Sequence, residues 1–223
     1  MKLENVNFSK RTADEFNILT RLYQLYSIYV LFLPIFGWLF YDFKIKRNKN
    51  LEDKLYIVAP NHISYLDVFA VNWVFKRKLA YMAKKELFQT ETKGQRYVTK
   101  NILRLGAFSV DREKPALSTI KTAKEVICKA KWNLCIFPQG GIRKNKVIEN
   151  VNQGFVYFAK TNKIDIVPMS LNGLEEYNWK PFLRKKVEIK VGEPISYELP
   201  EEEILKQWAN QVCEMSGYEN KIC

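Results

Sequence analysis

Hydrophobic positions along the chain fall into blocks of two kinds, one long and uncharged, the others short and punctuated. From Leu22 to Tyr41 twenty consecutive residues carry no charge (LYQLYSIYVLFLPIFGWLFY). A helix rises about 1.5 Å per residue, so such a block reaches roughly the 30 Å thickness of a bilayer's hydrocarbon. Downstream the pattern shortens. Leu55–Ala59 reads as a buried strand stopped by Pro60, Leu79–Ala83 and Phe108–Val110 as two more, and Leu134–Phe137 as another stopped by Pro138. Ile166–Leu171 and the alternating Val187, Ile189 and Val191 complete the strand series. Between the strands lie helical patterns. Tyr65–Phe75 has Ser64 placed as N-cap and Asp67 as its reciprocal partner. Pro115 opens a helix with Leu117, Ile120, Ala123 and Ile127 on one face, Gly154–Lys160 forms another, and Glu201–Met215 closes the chain. Strands separated by helices of this length imply crossover connections. The expected fold class is α/β, with a mostly parallel central sheet flanked by helices and preceded by an N-terminal membrane-associated helical segment.

The uncharged block carries features of an interface. Gln24 and Ser27 weaken it as a central span, while Tyr23, Tyr26, Tyr29, Trp38 and Tyr41 suit headgroup depth. Pro34 and Gly37 invite a break. A broken helix pair dipping into one leaflet is therefore expected in preference to a straight span; a buried core helix would need a partner on every side. Lys10, Arg11 and Arg21 precede the block, and Lys44, Lys46, Arg47 and Lys49 follow it. These flanks leave orientation open and fit attraction to anionic headgroups.

Charge extends that picture. The 36 Lys plus Arg against 24 Asp plus Glu give a net charge of +12, and the stretch Lys76–Lys114 holds eleven basic against four acidic residues. An anionic partner is implied: nucleic acid, an acidic membrane surface or a phosphorylated substrate. No basic recognition helix or RNA-binding signature accompanies the charge, so nucleic acid is not an expected partner. With 47% hydrophobic residues the chain can bury a core, which excludes disorder. Cys128, Cys135, Cys213 and Cys223 lack paired spacing and have one histidine to join them, so neither a metal site nor a disulfide framework is expected. Scattered thiols without a secretory leader favour a reducing compartment and a catalytic domain facing the cytoplasm.

That single histidine, His62, stands just past a buried strand in NHISYLD. On one continuous helix the five-residue step to Asp67 would turn about 500° and separate the two side chains. If the helix begins after His62, the loop can fold the imidazole back onto Asp67 in the first turn. Asp67 could equally be a plain capping carboxylate.

The string Asn61-His62 followed by Asp67 resembles the N-H-x4-D motif of the glycerolipid acyltransferase family, the lysophosphatidic acid type. Further stretches are similar in order and spacing: AKKELF at 83–88, GAFSVDR at 106–112, FPQGGIR at 137–143 against the family's F-P-E-G-T-R, and VPM at 167–169. The likeness covers roughly residues 50–195 and implies a membrane-binding segment over 1–48 and an acyltransferase α/β domain over 49–223. It further implies catalytic roles for His62, as general base on an acceptor hydroxyl, and for Asp67, which would hold the imidazole. Asn61, Lys85, Arg112, Phe137, Pro138, Gln139, Gly140, Gly141 and Arg143 would bind substrate. No cofactor or metal is called for; acyl-CoA or acyl carrier protein serves as co-substrate, and membrane lipids of an anionic surface are the other partner. The sequence does not indicate an oligomeric state.

The third motif departs from the family pattern: Gln139 replaces Glu, Gly141 replaces Thr, and Ile142 stands where the family has Arg, with Arg143 one position late. The expected acceptor is 1-acylglycerol-3-phosphate. A glycolipid or glycosylated isoprenoid, which needs no arginine there, is the alternative, as is a catalytically silent membrane-surface protein of the same fold.

Overall fold

The structure, a computed structural model, describes residues 7–111 and 116–222. It has the expected α/β architecture, a mostly parallel sheet flanked by helices. The chain packs as two compact units, Met1–Gln24 with Lys78–Cys135, and Leu25–Arg77 with Ile136–Cys223. Arg112, Pro115 and Cys223 lie outside the described residues, as does the expected Pro115 helix start.

In the first unit, β3 (Leu79–Lys84) lies between β5 (Asn133–Cys135) and β4 (Ala107–Val110), all parallel. Helices α3 (Lys93–Arg104) and α4 (Leu117–Lys124) pack against β4. The helix α1 (Ile18–Tyr26) is seated here by Gln24, whose buried amide donates to the carbonyls of Leu79 at 2.7 Å and Leu105 at 2.8 Å. Arg11, expected among the headgroup-facing cations, is buried instead. Its guanidinium donates to the carbonyls of Leu103 and Ala107 and lies 4.5 Å over the Phe16 ring. These two carbonyls, the Glu15 carboxylate 3.1 Å from Nε and the aromatic face hold that charge better than an open flank would.

In the second unit the strand order is β1 (Tyr41–Lys46), β8 (Lys185–Val191), β7 (Ile166–Asn172), β2 (Ile57–Pro60). Only the β7–β8 pairing within this group is antiparallel. Helices α2 (Asp67–Phe75), α5 (Gly154–Asn162) and α6 (Glu201–Ser216) cover these strands. A short parallel pair, β6 (Val147–Ile148) with β9 (Glu219–Asn220), stands apart from them. Trp208 on α6 is fully buried, and its indole N–H donates to the Ala59 carbonyl at 2.8 Å, pinning the helix to the end of β2.

The uncharged block is one continuous helix over Ala13–Phe40, not a broken pair; it is the one helix among the described residues long and apolar enough to cross a membrane. From Ser27 to Phe40 it winds as a π-helix with Pro34 inside it. The wider turn gives the pyrrolidine ring room that the α register denies it, so proline does not break the run. Thr20, Gln24 and Ser27 are buried together with Ile28 and Phe32, while Ile18, Leu22, Tyr26, Tyr29, Val30 and Trp38 are exposed, so the helix presents a large apolar face outward.

Candidate active site

β2 is buried along its whole length and delivers the chain to a turn, 61–66, at its carboxyl end. Asn61 builds the turn. Fully buried, it donates its amide to the Leu171 carbonyl at 2.9 Å and accepts the Leu171 N–H at 2.7 Å, so one side chain continues the ladder between β2 and β7. Both ends of the amide are thereby committed to backbone. Asn61, expected from sequence among the substrate-binding residues, braces the turn through these two bonds.

His62 follows, with its side chain 15% exposed. Its Nδ1 lies 2.8 Å from Asp67 Oδ2, and its ring stacks on Phe137 at 4.1 Å between centroids. Among the described residues nothing is hydrogen-bonded to Nε2. The same Asp67 oxygen accepts the backbone N–H groups of Ile63 at 2.7 Å and Ser64 at 2.8 Å, whereas Oδ1 is buried and unpaired. Asp67 therefore clamps the 61–66 turn and partners the imidazole with the same oxygen; it makes no capping bond to the helix it begins. Helix α2 starts at Asp67 with Leu66 in the cap position, two residues later than the expected start. The Ser64 hydroxyl accepts from Leu66 and does not cap the helix, because Asp67 has already turned back to take the Ser64 N–H.

Burial pushes the Asp67 carboxyl above the ordinary carboxylate range; His62 and the two N–H groups pull the other way. A carboxylate with three donors on one oxygen fixes the His62 proton on Nδ1 and leaves Nε2 as the basic nitrogen, facing the side of the ring not held by Asp67.

The second wall of the site is the loop after Ile136, whose N–H pairs with the Val58 carbonyl. Phe137 supplies the aromatic face under the imidazole. Gln139 is buried; its Oε1 accepts the His62 N–H at 3.0 Å and its Nε2 donates to the Val147 carbonyl at 3.3 Å. Gln139, like Asn61, was expected to bind substrate, and both ends of its amide are again taken by backbone; it holds the His62 turn against β6. Pro138 is buried, with its carbonyl accepting Asn152 N–H at 2.8 Å. Gly140 closes a turn onto the Phe137 carbonyl with φ at +68°, a conformation that costs glycine nothing. The Arg143 N–H then donates to the His62 carbonyl at 2.7 Å, leaving the guanidinium exposed at the edge of the site.

Asn61, His62, Asp67 and residues 137–143 thus assemble within one unit. Lys85 belongs to the other, where its ammonium pairs with Asp111 at 2.6 Å. VPM at 167–169 is the buried middle of β7. A cleft of about 320 Å³ lined by Leu33, Trp38, Phe43, Trp73 and Arg184 contains none of the motif residues, so concavity alone would have pointed elsewhere. Trp208 and Val147 brace the site through backbone carbonyls, and no motif announced them; the apolar face of α6 was the available signal for the tryptophan.

A strand-end histidine paired with a buried carboxylate is equipped to take a proton from a hydroxyl, the arrangement used in acyl transfer. The chain belongs to the acyltransferase family, whose model matches residues 42–172. Among its relatives is a 1-acyl-sn-glycerol-3-phosphate acyltransferase of Cocos nucifera, 30% identical over 70% of this chain and 51% of the relative. The enzyme of the same name from Bacillus subtilis is 29% identical over 68% of this chain and 73% of the relative. The chain spans about half the length of the coconut protein. The crystal structure of the 1-acyl-sn-glycerophosphate (LPA) acyltransferase from Thermotoga maritima superposes with a TM-score of 0.60 at 20% identity, covering 87% of this chain and 78% of that one, and so shares the fold.

Proposed function

We propose that the protein is a membrane-associated O-acyltransferase that moves a fatty acyl group from a thioester, acyl-CoA or acyl carrier protein, to the hydroxyl of 1-acylglycerol-3-phosphate, giving phosphatidic acid. The observation that carries this reading is the His62–Asp67 pair at 2.8 Å with Nε2 open. The names of the curated relatives supply the acceptor.

In the reaction, Nε2 of His62 takes the acceptor's hydroxyl proton as the oxygen attacks the thioester carbonyl carbon. The C–O bond forms, the C–S bond breaks, and the leaving thiolate receives the proton back from the imidazolium. Asp67 keeps the Nδ1 tautomer and stabilises the transient positive charge. Phe137 fixes the ring plane. Arg143, tied by its backbone to the His62 carbonyl, offers a guanidinium to the acceptor phosphate within the same loop. The net charge of +12 raises the local concentration of anionic lipid and of either donor.

Membrane association rests on the apolar helix, whose exposed Ile18, Leu22, Tyr26, Tyr29, Val30 and Trp38 match a lipid-facing surface. The catalytic domain would face the cytoplasm. Acyl transfer from labelled donor in mixed micelles, offering lysophosphatidic acid beside a neutral lipid alcohol, tests the assignment. Transfer to lysophosphatidic acid supports it, and preference for the neutral lipid would assign Arg143 no phosphate to read.

A further inference from the structure

A second apolar surface lies on the loop between β7 and β8, and no part of the proposed chemistry uses it. Trp179, Phe182 and Leu183 are 68%, 70% and 70% exposed, on a segment of few residues. Scattered exposed apolar residues are ordinary, whereas adjacent large ones mark an interaction site. Phe182 also sits at φ +67°, in the left-handed region that bulky side chains avoid. That conformation leaves most of the ring in solvent, with one edge contact to Trp38.

The loop is held firmly nonetheless. The Phe182 N–H donates to the Leu39 carbonyl at 2.8 Å, the Asn178 amide donates to the Phe40 carbonyl at 2.8 Å, and the Arg184 guanidinium donates to the carbonyls of Gly37 and Tyr41. Ring contacts join the same parts. Phe182 meets Trp38 edge-on at 5.9 Å, and Trp179 meets Phe40 at 6.3 Å. All of these partners lie at the carboxyl end of the apolar helix, where the last helical carbonyls need donors. Around the aromatics, residues 177–186 carry Lys180, Arg184, Lys185 and Lys186 and no acidic residue.

We propose that the segment 177–186, the end of the loop with the first two residues of β8, is a second membrane-contacting element, which seats Trp179, Phe182 and Leu183 at the headgroup–acyl boundary of an anionic bilayer beside Trp38. Aromatic residues with basic neighbours are the composition that position selects, and the surface continues the exposed face of the helix. The proposal rests on the membrane association proposed above. It gives the helix a fixed depth: the loop, bonded to residues 37–41, holds that end of the helix at the interface.

The test uses the full chain with vesicles of phosphatidylcholine and phosphatidylglycerol, some bearing brominated acyl chains that quench nearby tryptophan. Trp179→Phe and Trp38→Phe assign the quenched signal to each ring. The variant Phe182→Asn/Leu183→Ser removes apolar surface and places Asn where the left-handed conformation suits it, so its thermal midpoint should not fall. The expected results are quenching that Trp179→Phe diminishes, and vesicle partitioning about tenfold weaker in the double variant at an undiminished midpoint. Quenching from Trp38 without Trp179 would overturn this proposal and leave the helix reading standing, while quenching of neither would overturn both. Partitioning unchanged in the double variant but lost in Lys180→Glu/Lys186→Glu would mean a purely electrostatic surface, and would overturn it as well.

Discussion

Replacing Asp67 by Asn separates the two jobs of that carboxylate. Its Oδ2 accepts from His62 Nδ1 and from the N–H groups of Ile63 and Ser64, at 2.8, 2.7 and 2.8 Å. An Asn oxygen in the same place keeps all three bonds and the His62 tautomer. Turning the amide over would forfeit both backbone bonds, about 1 kcal/mol each, so the flipped form would be about thirtyfold rarer. What the substitution removes is the negative charge beside the imidazolium. A loss of about 3–5 kcal/mol from the transition state corresponds to a fall in kcat of roughly 10²–10⁴. Stability should change little: the variant no longer buries a carboxylate, but its amide nitrogen occupies the unpaired Oδ1 position. The pH dependence has a definite sign. Because the folded carboxyl titrates above its unfolded value, the stability contributed by its protonated form is complete below the ordinary carboxylate range and is lost as pH rises through the raised folded value. Asp67→Asn should lack that decline. Steady-state acyl transfer and urea unfolding across a pH series read both quantities. A variant within twofold of normal kcat, or one that loses more than about 3 kcal/mol of stability at neutral pH, would refute the reasoning.

Asn61→Ala should leave the buried N–H and carbonyl of Leu171 unpaired and cost about 2–5 kcal/mol by urea denaturation, with activity falling in step because the His62 turn loses its brace. Thiol labelling followed by peptide mass analysis should find exposed Cys128 modified in the native protein. Cys213, its thiol pushed up to about 11 by burial, should react only after unfolding.

Much of this architecture was legible because burial imposes period and punctuation. The strands ending at Pro60 and near Pro138 carry the site, and each announced itself as a short apolar run before a proline. β1 was missed although Tyr41-Asp42-Phe43-Lys44-Ile45-Lys46 alternates cleanly, because the uncharged block before it drew its first residue into a helix. α3 was missed because KGQRYVTKNILR offers few apolar positions; Thr92 and Gln95, which cap it reciprocally, were the readable signal. The proposed break at Pro34 assumed an α register that the helix does not keep. At the site, motif positions located the wall, while the commitment of Asn61 and Gln139 to backbone carbonyls and N–H groups depends on contacts far apart in sequence. Arg11 was misplaced for the same reason: a flanking charge and a buried guanidinium look alike until Leu103 and Ala107 are brought to it.

The central claim is that His62 is the base of an acyl transfer to a phosphorylated lipid hydroxyl. The most direct measurement is single-turnover transfer from labelled acyl-CoA, and separately from acyl carrier protein, to lysophosphatidic acid by the wild type and His62→Ala. The account predicts transfer by the wild type with at least one donor and a loss of about 10³-fold or more in a variant that still folds and binds vesicles. Near-normal transfer by His62→Ala, or none by the folded wild type with either donor, would contradict it.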